Sequence, residues 1–412
     1  MSLAPARPSL FRPAVLLALA LALATIGFGL RAADAHAARG MEIAVQDDSA
    51  LVTQSYKKYH LTRDRTLQLA RAFGVTRVRI NLGWANTLTP DQRKARKRPA
   101  NLQYQFGIVD GAIDAAARFG MRVHLSLTGP APAWAAGNHR VGPYKPSVSA
   151  FSQWVGIAVR HFRHRVDRYS IWNEPNIKPW LAPLKSSPAI YRKLYQRGYR
   201  AIKANAPEAK VLIGETSPYG RRGFGTSPIA WLRKMLCVNS HGKRKRSCPK
   251  LKADGYAHHP YDFAHAANFK YPGKDNATMG TLRNLTRALD RFSRSGALRH
   301  NHGGKMPVFL TEYGYFATGR RALSRRKRTK YLAQGWSIAL KNSRVKSNLQ
   351  YLMAAPPRRS SSAFFNLALL TTRGKKYPQY NTMVRWFKSH RRKVTRPGGP
   401  ISLPLAPTGP AT

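Results

Sequence analysis

The sequence predicts a single (β/α)8 barrel, the TIM-barrel architecture, as the fold of this 412-residue chain. Eight short apolar runs, typical of buried strands, alternate with segments of helical periodicity, and this alternation favours parallel strands. The length and a hydrophobic content of 43% suffice for one large barrel domain. An open sheet that binds a dinucleotide is less favoured, because no Gly-x-Gly-x-x-Gly motif follows the first strand.

Capping residues and glycines mark the helices in the first half of the barrel, and apolar runs mark the strands. Thr62 caps the first helix and Gly74 ends it, while Gly120 stops the second helix. The strands are predicted at 41–45, 75–82, 121–127 and 166–172, with helices at 62–73, 106–119 and 151–164 between them.

The second half of the barrel repeats the pattern. Pro207 closes its first helix, because a proline does not continue a helix. The strands are predicted at 210–214, 253–258, 306–311 and 349–354, and the helices at 188–205, 279–295, 330–341 and 381–388. The run at 349–354 is the eighth strand, which a closed barrel of this kind requires.

The N-terminal segment 1–37 has the pattern of a signal peptide. Arg7 and Arg12 precede an apolar run at 14–30, and Ala35-His36-Ala37 offers small residues for cleavage. We therefore expect the protein to be secreted or held at the cell surface. The apolar run is near the upper length for a signal peptide, so an uncleaved N-terminal anchor is the alternative, and only then would a membrane be a partner.

The barrel domain is predicted over 38–392, and a Pro/Gly-rich tail at 393–412 is predicted to be disordered. The chain has two cysteines, Cys237 and Cys248. Export to an oxidising compartment favours a disulfide between them over two unpaired thiols. Two cysteines alone do not complete a zinc site, and we expect neither a metal nor another cofactor.

Carboxylates are scarce in this chain, with 17 Asp and Glu against 71 Lys and Arg, and it has five glutamates. Glu174 lies in Trp172-Asn173-Glu174-Pro175-Asn176, at the end of the predicted fourth strand. Glu312 lies in Thr311-Glu312-Tyr313-Gly314, at the end of the predicted seventh strand. Active sites of such barrels lie at the C-terminal strand ends, so the two glutamates are expected to face each other there. Glycoside hydrolysis needs two carboxyl groups across the scissile bond.

These two stretches resemble the acid/base motif and the nucleophile strand of the glycoside hydrolase clan A superfamily, which includes cellulase-like family 5 and family 39-like retaining β-glycosidases. The resemblance spans roughly 41–390 and rests on short motifs. It implies that Glu174 is the general acid/base and Glu312 the nucleophile. It also implies that Asn173 binds the sugar 2-hydroxyl, that Arg79 orients the nucleophile, and that His259 and Tyr261 form a His-x-Tyr element that contacts it.

Further residues near strand ends have two interpretations each. Trp84 and Trp134 are candidate sugar-stacking surfaces, although a lone aromatic residue is as readily part of the core. Glu215 could bind substrate hydroxyls, but pairing with an arginine is favoured, because buried carboxylates are usually partnered. Adjacent strand residues point to opposite faces, so of His258 and His259 only one is expected at the site.

The retaining mechanism sets physical requirements for the two glutamates. It predicts carboxyl groups about 5 Å apart. The general acid needs a raised pKa, which the negative charge of Glu312 would supply to Glu174. The nucleophile must be ionised, and Arg79 beside Glu312 would keep it so.

The formal net charge of +54 predicts attraction to polyanions. Three dense basic runs stand out, at 93–98, 243–246 and 320–328. For an exported chain with a carbohydrate site, an anionic polymer or cell-wall surface is a more plausible partner than nucleic acid.

Taken together, these features predict an exported retaining glycoside hydrolase, an O-glycosyl hydrolase that cleaves β-glycosidic bonds of a poly- or oligosaccharide by double displacement. The alternative is a catalytically degenerate barrel that binds polyanions or the cell wall. The sugar, the linkage, and exo or endo action stay open, as does transglycosylation.

Overall fold

The computed structural model describes residues 40–239, 241–357 and 363–412. In these ranges eight parallel strands close into a barrel surrounded by helices, so the predicted (β/α)8 fold is confirmed. The predicted signal segment 1–37 lies outside the described residues. Among the residues described, no helix is long and apolar enough to cross a membrane.

The strands are numbered in chain order. They are β1 (Glu42–Gln46), β2 (Arg77–Gly83), β3 (Arg122–Thr128), β4 (Arg168–Ile171), β5 (Lys210–Thr216), β6 (Leu251–Ala253), β7 (Gly255–His258), β8 (Leu298–His300), β9 (Val308–Tyr313) and β10 (Val345–Tyr351). The order around the barrel is β1-β10-β9-β7-β5-β4-β3-β2, and β6 pairs with β8 outside it. The predicted sixth, seventh and eighth strands therefore correspond to β7, β9 and β10.

The helices lie between consecutive barrel strands. They are α1 (Asp48–Leu51), α2 (Arg63–Ala72), α3 (Pro90–Lys94), α4 (Gly107–Arg118), α5 (Val148–Phe162), α6 (Ser187–Asn205), α7 (Pro228–Met235), α8 (Leu282–Arg294), α9 (Arg325–Lys341) and α10 (Pro378–His390). Thr62 caps α2 as expected, since its side chain accepts a hydrogen bond from the backbone N–H of Arg65 at 3.2 Å.

The last barrel strand begins four residues earlier than the sequence predicted, at Val345 rather than 349. Asn348 and Gln350 are fully buried, and β10 pairs with β1 and β9 through these residues. An apolar run is a poor guide to this strand because its buried positions include polar side chains. Helix α7 and the β6–β8 pair were not predicted at all.

A cluster of charged residues fills the N-terminal end of the barrel. Arg77 contacts Glu42 at 3.0 Å and Asp167 at 2.6 Å, and Arg168 contacts Glu42 at 2.6 Å. Burial alone would raise the pKa of Glu42, but Arg168 and Arg77 hold that pKa at about 2. Glu42 is therefore a structural residue at the end of the barrel opposite the strand ends that carry Glu174 and Glu312.

The tail at 393–412 contacts the barrel at several points. Ile401 donates a backbone hydrogen bond to Ala117 at 2.9 Å, and Ala411 and Tyr104 exchange two backbone hydrogen bonds at 2.7 and 2.9 Å. Leu403 packs against the hydrophobic core. Cys237 and Cys248 are joined in a disulfide.

Candidate active site

Glu174 and Glu312 meet at the C-terminal end of the barrel. One carboxylate oxygen of each, together with a ring nitrogen of His259, lie within 4.8 Å of one another. Glu312 lies within β9, and Glu174 follows β4. The nearest oxygens of the two carboxyls are therefore close enough to act on the same bound molecule.

The backbone around Glu174 adopts an uncommon conformation. Trp172 has a φ of 66° and Glu174 a φ of 36°, in the left-handed region that non-glycine residues rarely occupy. Two contacts hold this turn: the N–H of Glu174 donates to the carbonyl of Glu215 at 3.0 Å, and the N–H of Asn173 donates to the Thr128 hydroxyl at 3.0 Å. Such strain is characteristic of functional sites.

Glu312 is held by two donors. Arg79 donates from Nη1 to Glu312 Oε1 at 3.0 Å, and the hydroxyl of Tyr261 donates to Oε2 at 2.9 Å. Burial raises the pKa of Glu312, while Arg79 and the Tyr261 hydrogen bond oppose that rise. The ionised form of Glu312 is thus stabilised by the arginine and the tyrosine that the sequence resemblance assigned to it.

Glu174 has a different environment. Burial raises its pKa to about 8, and the negative charge of Glu215 adds to that rise, while Arg79 acts against it. The expected source of this raised pKa is the negative charge of Glu312. The structure assigns it first to burial, with Glu215 as the like charge. Glu174 is therefore protonated near neutral pH, as a general acid must be.

His259 lies between the two glutamates. Its Nδ1 is 3.0 Å from Glu174 Oε1 and 3.6 Å from Glu312 Oε2. Burial lowers the pKa of His259, so the ring is neutral. Its Nε2 is buried and has no hydrogen-bond partner among the described residues. His258 points away from the site, with its Nδ1 2.9 Å from the Thr216 hydroxyl.

Arg79 connects the site to a deeper layer. Besides Glu312, it donates to Asn173 Oδ1 at 2.7 Å and to both carboxylate oxygens of Glu215. Glu215 is fully buried and also accepts from the hydroxyls of Ser126 at 2.9 Å and Ser170 at 2.8 Å. The favoured prediction that Glu215 pairs with an arginine is confirmed.

Trp84 is not a sugar platform, which corrects one of the predicted interpretations. It is fully buried and packs on Trp134, Phe151 and Trp154, with ring centroids 5.6 to 6.0 Å apart. Trp134 is half-buried, and Arg98 lies over its ring at 5.4 Å. Both rings therefore belong mainly to an aromatic cluster beside the barrel end.

Sequence reasoning missed Trp180 and Tyr219. The half-exposed Trp180 has a side-chain hydrogen bond to Glu174, which favours the ionised form of that carboxyl. Tyr219 stacks on Tyr271 at 4.9 Å. Burial is the main cause that raises the pKa of its phenol, and the charge of Glu174 adds a smaller part. Both residues sit in loops several positions beyond a strand end, where no strand pattern draws attention to them.

The group formed by Glu174, His259 and Glu312 also offers donor atoms close enough for a metal ion. Arg79 already supplies a positive charge to Glu312 through a direct hydrogen bond, and His259 bridges both carboxyls.

One member of the third basic run is not a surface residue. Arg328 is buried and donates to the backbone carbonyls of Tyr315, Leu367 and Ala368 at 2.5 to 3.0 Å. Burial lowers its pKa to about 10. It joins the chain after β9 to the chain after β10, so it is not available to an anionic partner.

Solved structures of glycoside hydrolases share this fold at low sequence identity. A family 39 glycoside hydrolase from the gut symbiont Bacteroides cellulosilyticus WH2 is 18% identical, with a TM-score of 0.62, over 84% of this chain and 63% of that chain. An exo-β-1,4-mannosidase from Opitutaceae bacterium strain TAV5 is 15% identical, with a TM-score of 0.56, over 88% and 61%. Xylanase 10B from Thermotoga maritima is 15% identical, with a TM-score of 0.51, over 86% and 96%.

The chain spans about three fifths of the length of the first two of these structures, 63% and 61%. No protein-family model matches the sequence, and no curated protein matches it. At such identities the likeness shows the fold. This fold is a (β/α)8 barrel of the kind found in glycoside hydrolases, and it is consistent with the resemblance to clan A.

Proposed function

We propose that this protein is a retaining glycoside hydrolase that cleaves β-glycosidic bonds by double displacement. Glu312 is the nucleophile and Glu174 the general acid/base. The observation that supports this most is the asymmetry of the pair: the oxygens lie within 4.8 Å, yet Arg79 and Tyr261 donate to Glu312, while burial raises the pKa of Glu174 to about 8.

In the first step, a carboxylate oxygen of Glu312 forms a bond to the anomeric carbon, and the glycosidic C–O bond breaks. The departing oxygen takes the proton of Glu174. In the second step, Glu174, now a carboxylate, accepts a proton from water as the water oxygen attacks the anomeric carbon. The bond from the anomeric carbon to Glu312 breaks as the bond to the water oxygen forms, and both carboxyls return to their starting states.

Asn173 and His259 position the reacting groups. Arg79 fixes the amide of Asn173 by donating to its Oδ1, which places that amide next to the nucleophile for contact with the sugar 2-hydroxyl. His259 lies against both carboxyls and, being neutral, adds no charge that would deprotonate Glu174. These assignments follow the resemblance to clan A and agree with the contacts at the site.

We also propose that the protein acts outside the cytoplasm. The signal-like sequence of 1–37 supports this, and the disulfide between Cys237 and Cys248 is compatible with an oxidising compartment. The ordered hydrogen bonds around Glu312 argue against the degenerate-barrel alternative, because a barrel that only binds polyanions has no need of them.

The test is hydrolysis of a panel of aryl β-glycosides by the wild type and by Glu174→Gln and Glu312→Gln. Each substitution is expected to lower kcat by about a thousandfold or more. Glu208→Gln, the same change at an exposed turn, is the matched control and should leave the rate unchanged.

The leaving group separates the two roles. The 2,4-dinitrophenolate released from a 2,4-dinitrophenyl glycoside departs without being protonated. On that substrate Glu174→Gln should therefore recover most of its first-step rate, while Glu312→Gln should not. If hydrolysis occurs but neither substitution changes it relative to Glu208→Gln, the assignment is wrong.

A further inference from the structure

Arg321 is an exposed arginine that stacks on aromatic rings near Glu312. It follows β9, the strand that carries Glu312. Its guanidinium lies 4.2 Å from the ring centroid of Phe316 and 5.8 Å from that of Phe263. Stacking holds the plane of a guanidinium and leaves its N–H edge free to donate.

The rings under Arg321 lead directly to the catalytic pair. Phe263 stacks on Tyr261 at 4.7 Å, and Tyr261 donates to Glu312 at 2.9 Å. The charges of Arg321 and of Glu174 both act on the phenol of Tyr219. One ring, that of Phe263, thus separates Arg321 from the tyrosine that contacts Glu312.

Arg321 has no carboxylate partner among the residues that the structure describes. Asp262, in the neighbouring loop, is buried and accepts hydrogen bonds from the backbone N–H groups of Ala264 and His265. Within the described part of the chain, the N–H edge of Arg321 therefore has no carboxylate to bind.

The overall positive charge does not explain this arrangement by itself. At the opposite end of the barrel, Arg77, Arg122 and Arg168 are each paired with Glu42 or Asp167. At the active-site end, exposed cations in the loops after β2, β4 and β5 are without an ion pair in the described part of the chain: Arg98, Lys178, Arg221 and Arg222. Exposed cations without an ion pair among the described residues also lie at the opposite end, Lys210 and Lys346 among them, so what sets Arg321 apart is its stacking on Phe316 near Glu312.

We propose that the substrate is an acidic glycan and that Arg321 binds an oxyanion on one of its sugars, a uronic acid carboxylate or a sulfate ester. The other rim cations attract the polymer over a longer range. This inference rests on the proposed glycosidase function and names the substrate class for that site.

The test compares substrates that differ only in the acidic group. One arm measures kcat/KM for 4-nitrophenyl β-glucoside, β-glucuronide and β-glucoside 6-sulfate. The other arm measures inhibition of aryl-glycoside hydrolysis by an acidic and by a neutral tetrasaccharide. These compounds are long enough to occupy binding sites on both sides of the position where the bond is cleaved. Wild type, Arg321→Gln, Arg321→Lys and Arg320→Gln are compared, and Arg320, an exposed neighbour, is the control of equal charge change.

In at least one arm the wild type should prefer the acidic compound, and Arg321→Gln should reduce that preference about tenfold. Arg321→Lys should retain part of it, and Arg320→Gln nearly all of it. The sugar that shows the effect identifies carboxylate or sulfate as the bound group.

Equal changes for acidic and neutral compounds, or equal effects of Arg321→Gln and Arg320→Gln, would overturn the inference while leaving the glycosidase function intact. If the wild type hydrolyses no glycoside in the panel and Glu174→Gln behaves identically, the proposed function itself fails.

Discussion

Arg79 donates to both carboxylate oxygens of Glu215, a fully buried residue that also accepts from two serine hydroxyls. The same guanidinium donates to Glu312. Arg79 is thus shared between a hidden carboxylate and the candidate nucleophile. Glu215 fixes the arginine in place, and its negative charge raises the pKa of Glu174.

Glu215→Gln should shift the pH dependence of the enzyme. Removing a negative charge near Glu174 lowers the pKa of Glu174, so the basic limb of kcat/KM should move to lower pH. Ser170→Ala, which removes one hydrogen bond to Glu215 but keeps its charge, is the control. An unmoved basic limb, or an equal shift in Ser170→Ala, would contradict this reading of Glu215.

The wild-type pH profile follows from the two pKa shifts. Glu174 must be protonated, and its pKa is raised to about 8 by burial, so kcat/KM should fall as pH rises through about 8. Glu312 must be ionised, and burial raises its pKa above the usual value, so the acidic limb should lie above pH 4.5. A profile measured with an aryl β-glycoside checks both limbs, and a basic limb well below pH 8 would argue against this acid.

Glu42→Gln should destabilise the barrel because it leaves Arg77 and Arg168 with one fewer buried partner. Breaking such a buried pair costs about 3–5 kcal/mol of unfolding free energy. Asp64→Asn, which removes an ion pair with Arg118 that is more than half exposed on both sides, should cost less than about 1 kcal/mol. Denaturant unfolding compares the two variants, and similar losses would contradict the structural assignment of Glu42.

Glu42 should also make the stability of the barrel sensitive to acid. Its folded pKa is lowered to about 2 from 4.5, so its contribution to stability is present above pH 4.5 and is lost as pH falls towards 2. Between those pH values, the unfolding free energy of Glu42→Gln should fall less steeply than that of the wild type.

Trp84→Ala should lower the free energy of unfolding by about 3–5 kcal/mol, because a fully buried ring is removed from an aromatic cluster. Trp180→Ala, at a half-exposed residue next to Glu174, should change kcat/KM more than stability. Thermal unfolding and aryl-glycoside kinetics on both variants test this division, and a stable but inactive Trp84→Ala would restore Trp84 as a substrate contact.

The sequence was informative where a residue's position follows from strand order. Glu174 and Glu312 end strands on opposite sides of a closed barrel, so their approach could be predicted. The sequence favoured pairing of Glu215 with an arginine but did not identify that arginine as Arg79. The pair depends on side chains from β2 and β5 that meet inside the barrel. Whether Trp84 faces a sugar or the core depends on ring contacts with Trp134 and Trp154, which strand order does not determine.

The central claim is that Glu312 forms a covalent bond to the sugar, and the anomeric configuration of the first product tests it most directly. Proton NMR during hydrolysis of an aryl β-glycoside resolves the two anomers before they interconvert. Because one oxygen of each carboxyl lies within 4.8 Å of the other and Arg79 and Tyr261 hold Glu312, we predict that the β-anomer appears first and the α-anomer only later, by mutarotation. If the α-anomer appears first, the mechanism is inverting and Glu312 is not a nucleophile.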